Sequence, residues 1–330
     1  MKILNTTDLH IHNHLGVYQF ITNAVGYLDY LLKYCLEKSI KKVIINGDIF
    51  NCNNYINHVA FIETSEKFHD FKEEGIELIL LTGNHDLFNK KTTNQSLTQA
   101  FRREFFVPSS YDYQDIDDVR LHFYNFNSTI DKEKFEYSDG YNVLYTHLEI
   151  NGFKMNNITI KDKVSRVEFD KFNLVFNGHH HDYEHIDNII TIGAPYHINF
   201  GDVGKKRGFI IFDTVNKEYS FEKYQGAEFI KLNPAREIDY EQVKNYFIRL
   251  EYDKDQTEEK EVLKAKKNLA KNNYHVDIIH KKKNKAKEEI KIEINTFDDA
   301  YKDYIKKVDT KSLNKKRLEE MYEQIKNSID

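Results

Sequence analysis

Five short clusters within the first 181 residues carry side chains able to do chemistry: Asp8-Leu9-His10, Gly47-Asp48, Gly83-Asn84-His85-Asp86, His147 and Gly178-His179-His180-His181. Together they offer carboxylate, amide and imidazole ligands for two metal ions. Asp8 and His10, two residues apart, can point at one ion. Asp48 can bridge two, because a carboxylate has lone pairs to share. Asn84 offers an amide oxygen, and His147, His179 and His181 offer neutral imidazoles. Two ions about 3.5–4 Å apart would clamp a phosphodiester, activate a water and stabilise the charge of in-line displacement. A mixed nitrogen and oxygen set without thiolate suits manganese, iron or zinc better than calcium. His85, beside Asn84, need not bind metal; an imidazole titrating near neutrality is suited to protonating the leaving oxygen. Each cluster alone has an ordinary explanation as a cap, a turn, a structural histidine or a stray tract. Their joint order, each behind an apolar run, does not.

The elements that must hold these residues follow from hydrophobic periodicity. Residues 2–7 read as a buried strand, 42–46 as a second and 76–81 as a third. Between them lie a helix over 17–39, with Phe20, Ala24, Tyr27, Leu28, Leu31, Leu32 and Cys35 on one face, and a helix over 58–74 with Phe61, Phe68 and Phe71 inward. This βαβαβ order predicts a mostly parallel sheet flanked by helices. Asp8, Asp48 and Asn84 each fall just after one of its strands, at the end where open α/β sheets form a ligand crevice. Further strands are predicted over 119–125, 142–145 and 173–177, the last two ending just before His147 and Gly178-His179. Beyond about Gly201 the pattern changes to a hairpin at 207–213 and 218–223, then a small α+β unit with strands near 247–252, 275–280 and 289–294 and a Lys-rich helix near 257–271. Residues 297–330 read as helical, with Phe297, Tyr301, Tyr304, Ile305 and Val308 on one stripe and Leu318, Met321, Tyr322 and Ile325 on another.

The chain's 330 residues allow one large domain plus smaller units, and its 31% charged and 40% hydrophobic residues describe a globular protein. A net charge of −5 argues against a generally basic surface, so any nucleic-acid-binding face must be local. The segment from Lys264 to Lys287 is a candidate, with nine Lys and Asp277 as its only acid. Cys35 and Cys52 cannot build a disulfide framework or a thiolate zinc site. No signal-peptide core precedes the first motif and no apolar run reaches the length of a membrane span, so the chain reads as cytoplasmic, without membrane contact.

The five clusters resemble the calcineurin-like metallophosphoesterases, and within them the SbcD-type nuclease subunits of double-strand-break repair complexes, phage recombination endonucleases included. Gly47-Asp48-Ile49-Phe50 is similar to that family's form of the second motif, and the downstream Asp-Arg of Ser/Thr protein phosphatases is missing. Gly193-Ala194-Pro195, Gly201-Asp202 and Lys206-Arg207-Gly208-Phe209 resemble the segment where the family leaves its catalytic domain. The resemblance implies an α/β fold: a metallophosphoesterase β-sandwich core flanked by helices over residues 1–213, a small α+β DNA-capping domain over 214–295, and C-terminal helices over 296–330 that bind an SbcC-type coiled-coil ABC ATPase. It implies one ion on Asp8, His10, Asp48 and His181, a second on Asp48, Asn84, His147 and His179, and His85 as the catalytic histidine. It also implies a homodimer and a Mn2+-dependent 3′-to-5′ DNA exonuclease with endonuclease activity, with Mg2+, Fe2+ or Zn2+ as alternative ions. One departure concerns the place two residues after the first His, usually Gly in the family and here His12. His12, His14 and His180 are extra imidazoles, and together with Lys281, Lys282 and Lys283 they are candidates for DNA contact. The competing readings are a phosphatase or cyclic-nucleotide phosphodiesterase of the same superfamily, disfavoured by the hundred-odd residues beyond Asp213, and a DNA-end-binding scaffold with a degenerate site.

Overall fold

The computed structural model describes residues 1–12, 16–51, 55–89, 92–127, 129–155, 158–253, 255, 257–280, 317, 320 and 322. The chain divides into two units, Met1–Lys281 and Lys282–Asp330. Of the second only Arg317, Glu320 and Tyr322 are described, all helical. His14, Lys281, Lys282, Lys283, the strand expected over 289–294 and most of the C-terminal stripes lie outside the described residues.

The first unit begins with β1 (Lys2–Thr6), α1 (Gln19–Lys38), β2 (Lys42–Ile45), α2 (His58–Glu73) and β3 (Glu77–Leu80). A short hairpin, β4 (Leu87–Asn89) and β5 (Thr92–Ser96), precedes β6 (Tyr111–Ile116), β7 (Val119–Tyr124) and β8 (Tyr141–Thr146). The two-residue strands β9 (Lys154–Met155) and β10 (Ile158–Thr159) lead to β11 (Leu174–Asn177), β12 (Glu184–Ile186), β13 (Ile189–Thr191), β14 (Gly208–Asp213) and β15 (Glu218–Lys223). The last elements are β16 (Phe229–Leu232), β17 (Phe247–Tyr252), α3 (Glu259–Leu269) and β18 (His275–His280).

Two sheets face each other. One runs β15-β14-β1-β2-β3 and the other β12-β13-β11-β8-β7-β6. Strands β1, β2 and β3 are parallel, as the βαβαβ pattern predicts, and β14 adds antiparallel to β1. In the second sheet β7, β8, β11 and β13 are parallel, with antiparallel strands at both edges. The two-residue period sorts the side chains. Ile3, Ile44, Ile79, Ile210 and Phe212 meet Leu121, Phe123, Val143, Tyr145 and Phe176 between the sheets. Their neighbours Leu4, Val43, Ile45, Leu78 and Leu80 face α1 and α2. Both faces of β14, β1, β2 and β3 are therefore buried, which is why β2 and β14 read as nearly continuous apolar runs, whereas the edge strand β15 alternates.

The helices are placed by the same logic. Ile21, Ala24, Val25, Leu28, Leu31 and Cys35 form the buried face of α1, and Ser39 closes it in the left-handed conformation with its N–H on the Cys35 and Leu36 carbonyls. The Asn57 side chain caps α2, accepting from the N–H groups of Val59 and Ala60 at 3.0 and 3.1 Å. After β15, the strands β16, β17 and β18 form a separate parallel sheet backed by α3. It docks on the core through Phe229 and Phe247, which pack with Phe20 of α1 and with Phe200. Because β15 pairs along its whole length with β14, the core sheet runs to Lys223, ten residues past the expected boundary at 213. No helix among the described residues is long and apolar enough to cross a membrane.

Candidate metal centre

The seven expected ligands come together at the C-terminal ends of the parallel strands. β1 runs into Asp8 and His10, β2 into Asp48, β3 into Asn84, β8 into His147 and β11 into His179 and His181. The chain takes sharp bends there. Asp8, His10, Asp48 and His179 all have left-handed backbones, with φ of 54°, 45°, 51° and 72°. Such conformations cost an L-residue of order 1 kcal/mol or more and persist only where the surroundings enforce them. The bends lie at the residues whose side chains must turn inward. Gly178 allows a close approach: a Cβ there would lie 2.3 Å from the Thr7 hydroxyl and 2.6 Å from the His147 ring.

Three overlapping ligand groups result among the described residues. Asp8, His10 and His181 bring one nitrogen or oxygen each to within 4.8 Å of one another, as do Asp48, His147 and His179. The third group, His10, Asp48 and His85, puts His85 against the same Asp48 carboxylate. In the first group the Nε2 atoms of His10 and His181 are 3.1 Å apart and lie 3.7 and 3.8 Å from Asp8 Oδ1. Asp48 Oδ2 joins the groups, 3.7 Å from His10 Nε2 and 3.2 Å from His147 Nε2. Asn84 Oδ1 completes the second, 3.2 Å from His147 Nε2 and 2.7 Å from His179 Nδ1. Asp8 Oδ1 is buried and has no hydrogen-bond donor among the described residues. A buried carboxylate oxygen without a donor is costly unless a cation satisfies it. The donor set and this orphaned oxygen fit two divalent cations, one on each side of Asp48.

The electrostatics agree. Burial would raise the Asp8 carboxyl, but His10, whose Nε2 lies 3.7 Å away, and the nearby His147 and His181 bring it down to about 2. Burial likewise opposes ionisation of Asp48, and His147, His10 and His85 hold it far below the usual carboxylate range. His147 is buried, which disfavours its cation, yet Asp48 and Asp8 lift it to about 9. The two buried carboxylates thus stay ionised and draw protons onto the facing imidazoles, charge that divalent cations could offset in place of those protons.

His85 stands at the rim of the same cleft, of about 240 Å³, which Lys154 and Lys205 also line. Its backbone N–H donates to Asp48 Oδ1 at 2.8 Å, and its Nδ1 contacts Asn51 Oδ1 at 2.8 Å. One expectation is corrected. His180 is not a DNA-contacting imidazole: it is turned into the core, where its Nε2 accepts from the Ile150 N–H at 3.3 Å and its ring packs on Phe153. His12 is half-buried beside Asn51, with its Nδ1 3.1 Å from the His10 carbonyl.

Several residues that hold the candidate ligands were not among the expected site residues, although Asp86 and Arg207 lie inside the motif segments. The Glu149 carboxylate lies 3.3 Å from His179 Nε2, so it orients the ring whose Nδ1 faces Asn84. The Asn46 carbonyl accepts from His147 Nδ1 at 2.6 Å, which leaves Nε2 for an ion. Asp86 accepts from the N–H groups of Gly83 and Phe50 at 2.9 and 3.0 Å, tying the third cluster to the second. Burial and the charge of Asp48 raise its carboxyl to about 7. Arg207 is buried, donates to the His181 carbonyl and pairs with Asp202 at 2.7 Å and Asp182 at 3.3 Å. The Tyr196 hydroxyl donates to the Leu9 carbonyl, between the first two ligands.

A two-sheet core with five ligand-bearing strand ends around a shared aspartate is the architecture of a metallophosphoesterase. The model of the calcineurin-like phosphoesterases matches residues 1–183, and the chain belongs to that family. It is similar to exonuclease subunit 1 of Enterobacteria phage T4, with 25% identity over 229 residues that cover 67% of each chain. Among solved structures it is similar to an archaeal phosphodiesterase, at 18% identity and a TM-score of 0.35 over 68% of this chain and 100% of that one. It is also similar to YfcE, a phosphoesterase from E. coli, at 12% identity and a TM-score of 0.32 over 65% of this chain and 89% of that one.

Proposed function

We propose that this phosphoesterase is a Mn2+-dependent DNA nuclease, a 3′-to-5′ exonuclease with endonuclease activity, acting as one subunit of a nuclease and ATPase complex that processes DNA ends. The observation that carries the reading is the pair of ligand groups sharing Asp48 with His85 beside them, in a chain similar over two thirds of its length to a phage exonuclease subunit. Asp8, His10, Asp48 and His181 would hold one ion, and Asp48, Asn84, His147 and His179 the other. Ions at these positions supply Lewis-acid activation of the phosphodiester and of water. His85, fixed through its backbone to Asp48 and through its ring to Asn51, delivers a proton to the leaving 3′ oxygen. Lys154 adds positive charge along the cleft for the flanking phosphates, whereas Lys205 is paired with Asp182 at 2.8 Å. The parallel sheet after Lys223, which a minimal phosphatase does not need, supports a role in holding DNA. The relative is one subunit of an exonuclease, which supports a partner chain. That the partner is an SbcC-type ATPase docked on residues 296–330, and that the protein is a homodimer, is what the family resemblance of the motifs implies.

The test is digestion of end-labelled linear DNA with Mn2+, beside Asn84→Ala and His85→Ala and with p-nitrophenyl phosphate in parallel. Shortening from the 3′ end, lost in both variants, is the expected result. Intact DNA with turnover of the monoester would favour a phosphatase. Neither reaction, with DNA ends still bound, would favour a scaffold.

A further inference from the structure

Segments 8–12 and 48–51 run side by side. Ile11 and Phe50 form a β-bridge, and the Ile11 N–H donates to the Ile49 carbonyl at 2.9 Å. This register puts His12 next to Asn51, and Asn51 next to His85. Three contacts follow in line: His12 Nδ1 to the His10 carbonyl at 3.1 Å, Asn51 Nδ2 to His12 Nε2 at 3.4 Å, and Asn51 Oδ1 to His85 Nδ1 at 2.8 Å.

The donors in this line are fixed from its far end. A backbone carbonyl can only accept, so His12 Nδ1 carries a proton and, in the neutral ring, His12 Nε2 accepts. The group facing that nitrogen must then be the Asn51 amide NH2, which turns the amide oxygen toward His85. An amide oxygen only accepts, so His85 Nδ1 is the donor. The line thus assigns the His85 tautomer and ring orientation and makes Nε2 the nitrogen that serves a leaving oxygen.

We propose that His12 and Asn51 are positioning residues that act through His85, in a relay that starts at the His10 carbonyl; neither needs to touch substrate. This rests on His85 being the proton donor of the phosphodiester hydrolysis proposed above. His12 stands where the resembled family carries Gly, so the outer half of the relay belongs to this chain.

The experiment compares two diesters with different leaving groups. Thymidine 5′-(p-nitrophenyl phosphate) releases a stable phenolate that needs no proton, whereas a thymidine dinucleotide releases a 3′ oxygen that does. Full-length wild type, Asn51→Ala, His12→Phe, Asn51→Asp, His85→Ala and the double variant Asn51→Ala/His85→Ala are assayed with Mn2+, with metal content measured alongside. A general acid contributes roughly 10²–10⁴-fold, so a misaligned one should cost about 10-fold or more in kcat on the dinucleotide. KM and metal content should stay near wild type in Asn51→Ala and His12→Phe, and the p-nitrophenyl ester should be turned over at nearly the wild-type rate. Asn51→Asp, which keeps the acceptor for His85, should recover much of the loss. The double variant should be no worse than His85→Ala. Equal losses on both diesters, or a further loss in the His85→Ala background, would overturn the relay. Failure of the nuclease reading would show differently, as wild type turning over phosphomonoesters but neither diester. The same comparison is then made with phenyl phosphate against p-nitrophenyl phosphate, and the same two outcomes decide.

Discussion

The tightest packing around the shared carboxylate is at Gly83, and Gly83→Ala should be among the most damaging single-methyl changes in the chain. A Cβ on Gly83 would lie 2.1 Å from Asp48 Oδ1 and 2.3 Å from the Asp48 backbone nitrogen, where real Cβ contacts do not fall below 3.0 Å. Relief therefore requires a shift of about 0.9 Å, the difference between 3.0 and 2.1 Å, in a carboxylate that serves both ligand groups. The Asp48 backbone cannot give way easily, because its carbonyl accepts from the His10 N–H at 2.9 Å and its φ is already 51°. A misplacement near 1 Å at reacting groups costs on the order of 10²-fold in rate. The overpacking itself costs about 1–3 kcal/mol of stability, which a folded domain of this size can tolerate. The assay is Mn2+-dependent hydrolysis of bis(p-nitrophenyl) phosphate, with thermal unfolding as the check on folding. Gly26→Ala is the control. It sits on the exposed side of α1 with nothing within 4 Å of a new Cβ, so it should leave the rate unchanged and add about 0.5–1 kcal/mol of stability. A folded Gly83→Ala protein with a rate within a few-fold of wild type would refute the claim that Asp48 must sit where it does.

Three further outcomes follow. Glu149→Gln should weaken Mn2+ binding by about 10–100-fold, measured by titration calorimetry, because His179 Nε2 loses the carboxylate that orients it; unchanged affinity would remove Glu149 from the centre. Arg207→Met should destabilise the protein by about 3–5 kcal/mol in denaturant unfolding, since Asp202 would be left buried without its partner, and a loss below about 1 kcal/mol would contradict the assignment. Metal binding should release protons. His147 titrates near 9 without an ion, so below that pH it is protonated and must become neutral to bind, and affinity should rise with pH up to about 9. Calorimetry at pH 7.5 in buffers of different ionisation enthalpy checks this, and an identical heat in all of them would contradict it.

The convergence of the candidate ligands was legible in the sequence because each follows a buried strand. Strands β1, β2, β3, β8 and β11 are short segments buried almost throughout, and the polar cluster just after each marks a place on the crevice. Boundaries of the long elements α1, α2, β7 and β17 fall within two residues of those read from periodicity. The three-residue strands β12 and β13 were not legible, being too short to show a period across the Asp187-Asn188 turn. The small unit reads as α+β in sequence, whereas its described strands form an all-parallel sheet with α3 between β17 and β18, a pairing that no local pattern reveals. Glu149, Asn51 and Arg207 were missed for a common reason. They touch candidate ligands or His85 rather than an ion, and their partners lie 30, 34 and 26 residues away in the chain. His180 misled in the other direction, because its place inside an ion-binding motif suggested exposure that alternation between its neighbours denies: His179 and His181 point into the crevice and His180 away from it.

The central claim is that Asp48 is shared by two cations. Crystals of the full chain soaked in Mn2+ and measured for anomalous scattering test it directly. The account expects two peaks about 3.5–4 Å apart with Asp48 between them, one against Asp8, His10 and His181 and the other against Asn84, His147 and His179. A single peak, or two peaks with Asp48 contacting neither or only one, would contradict it.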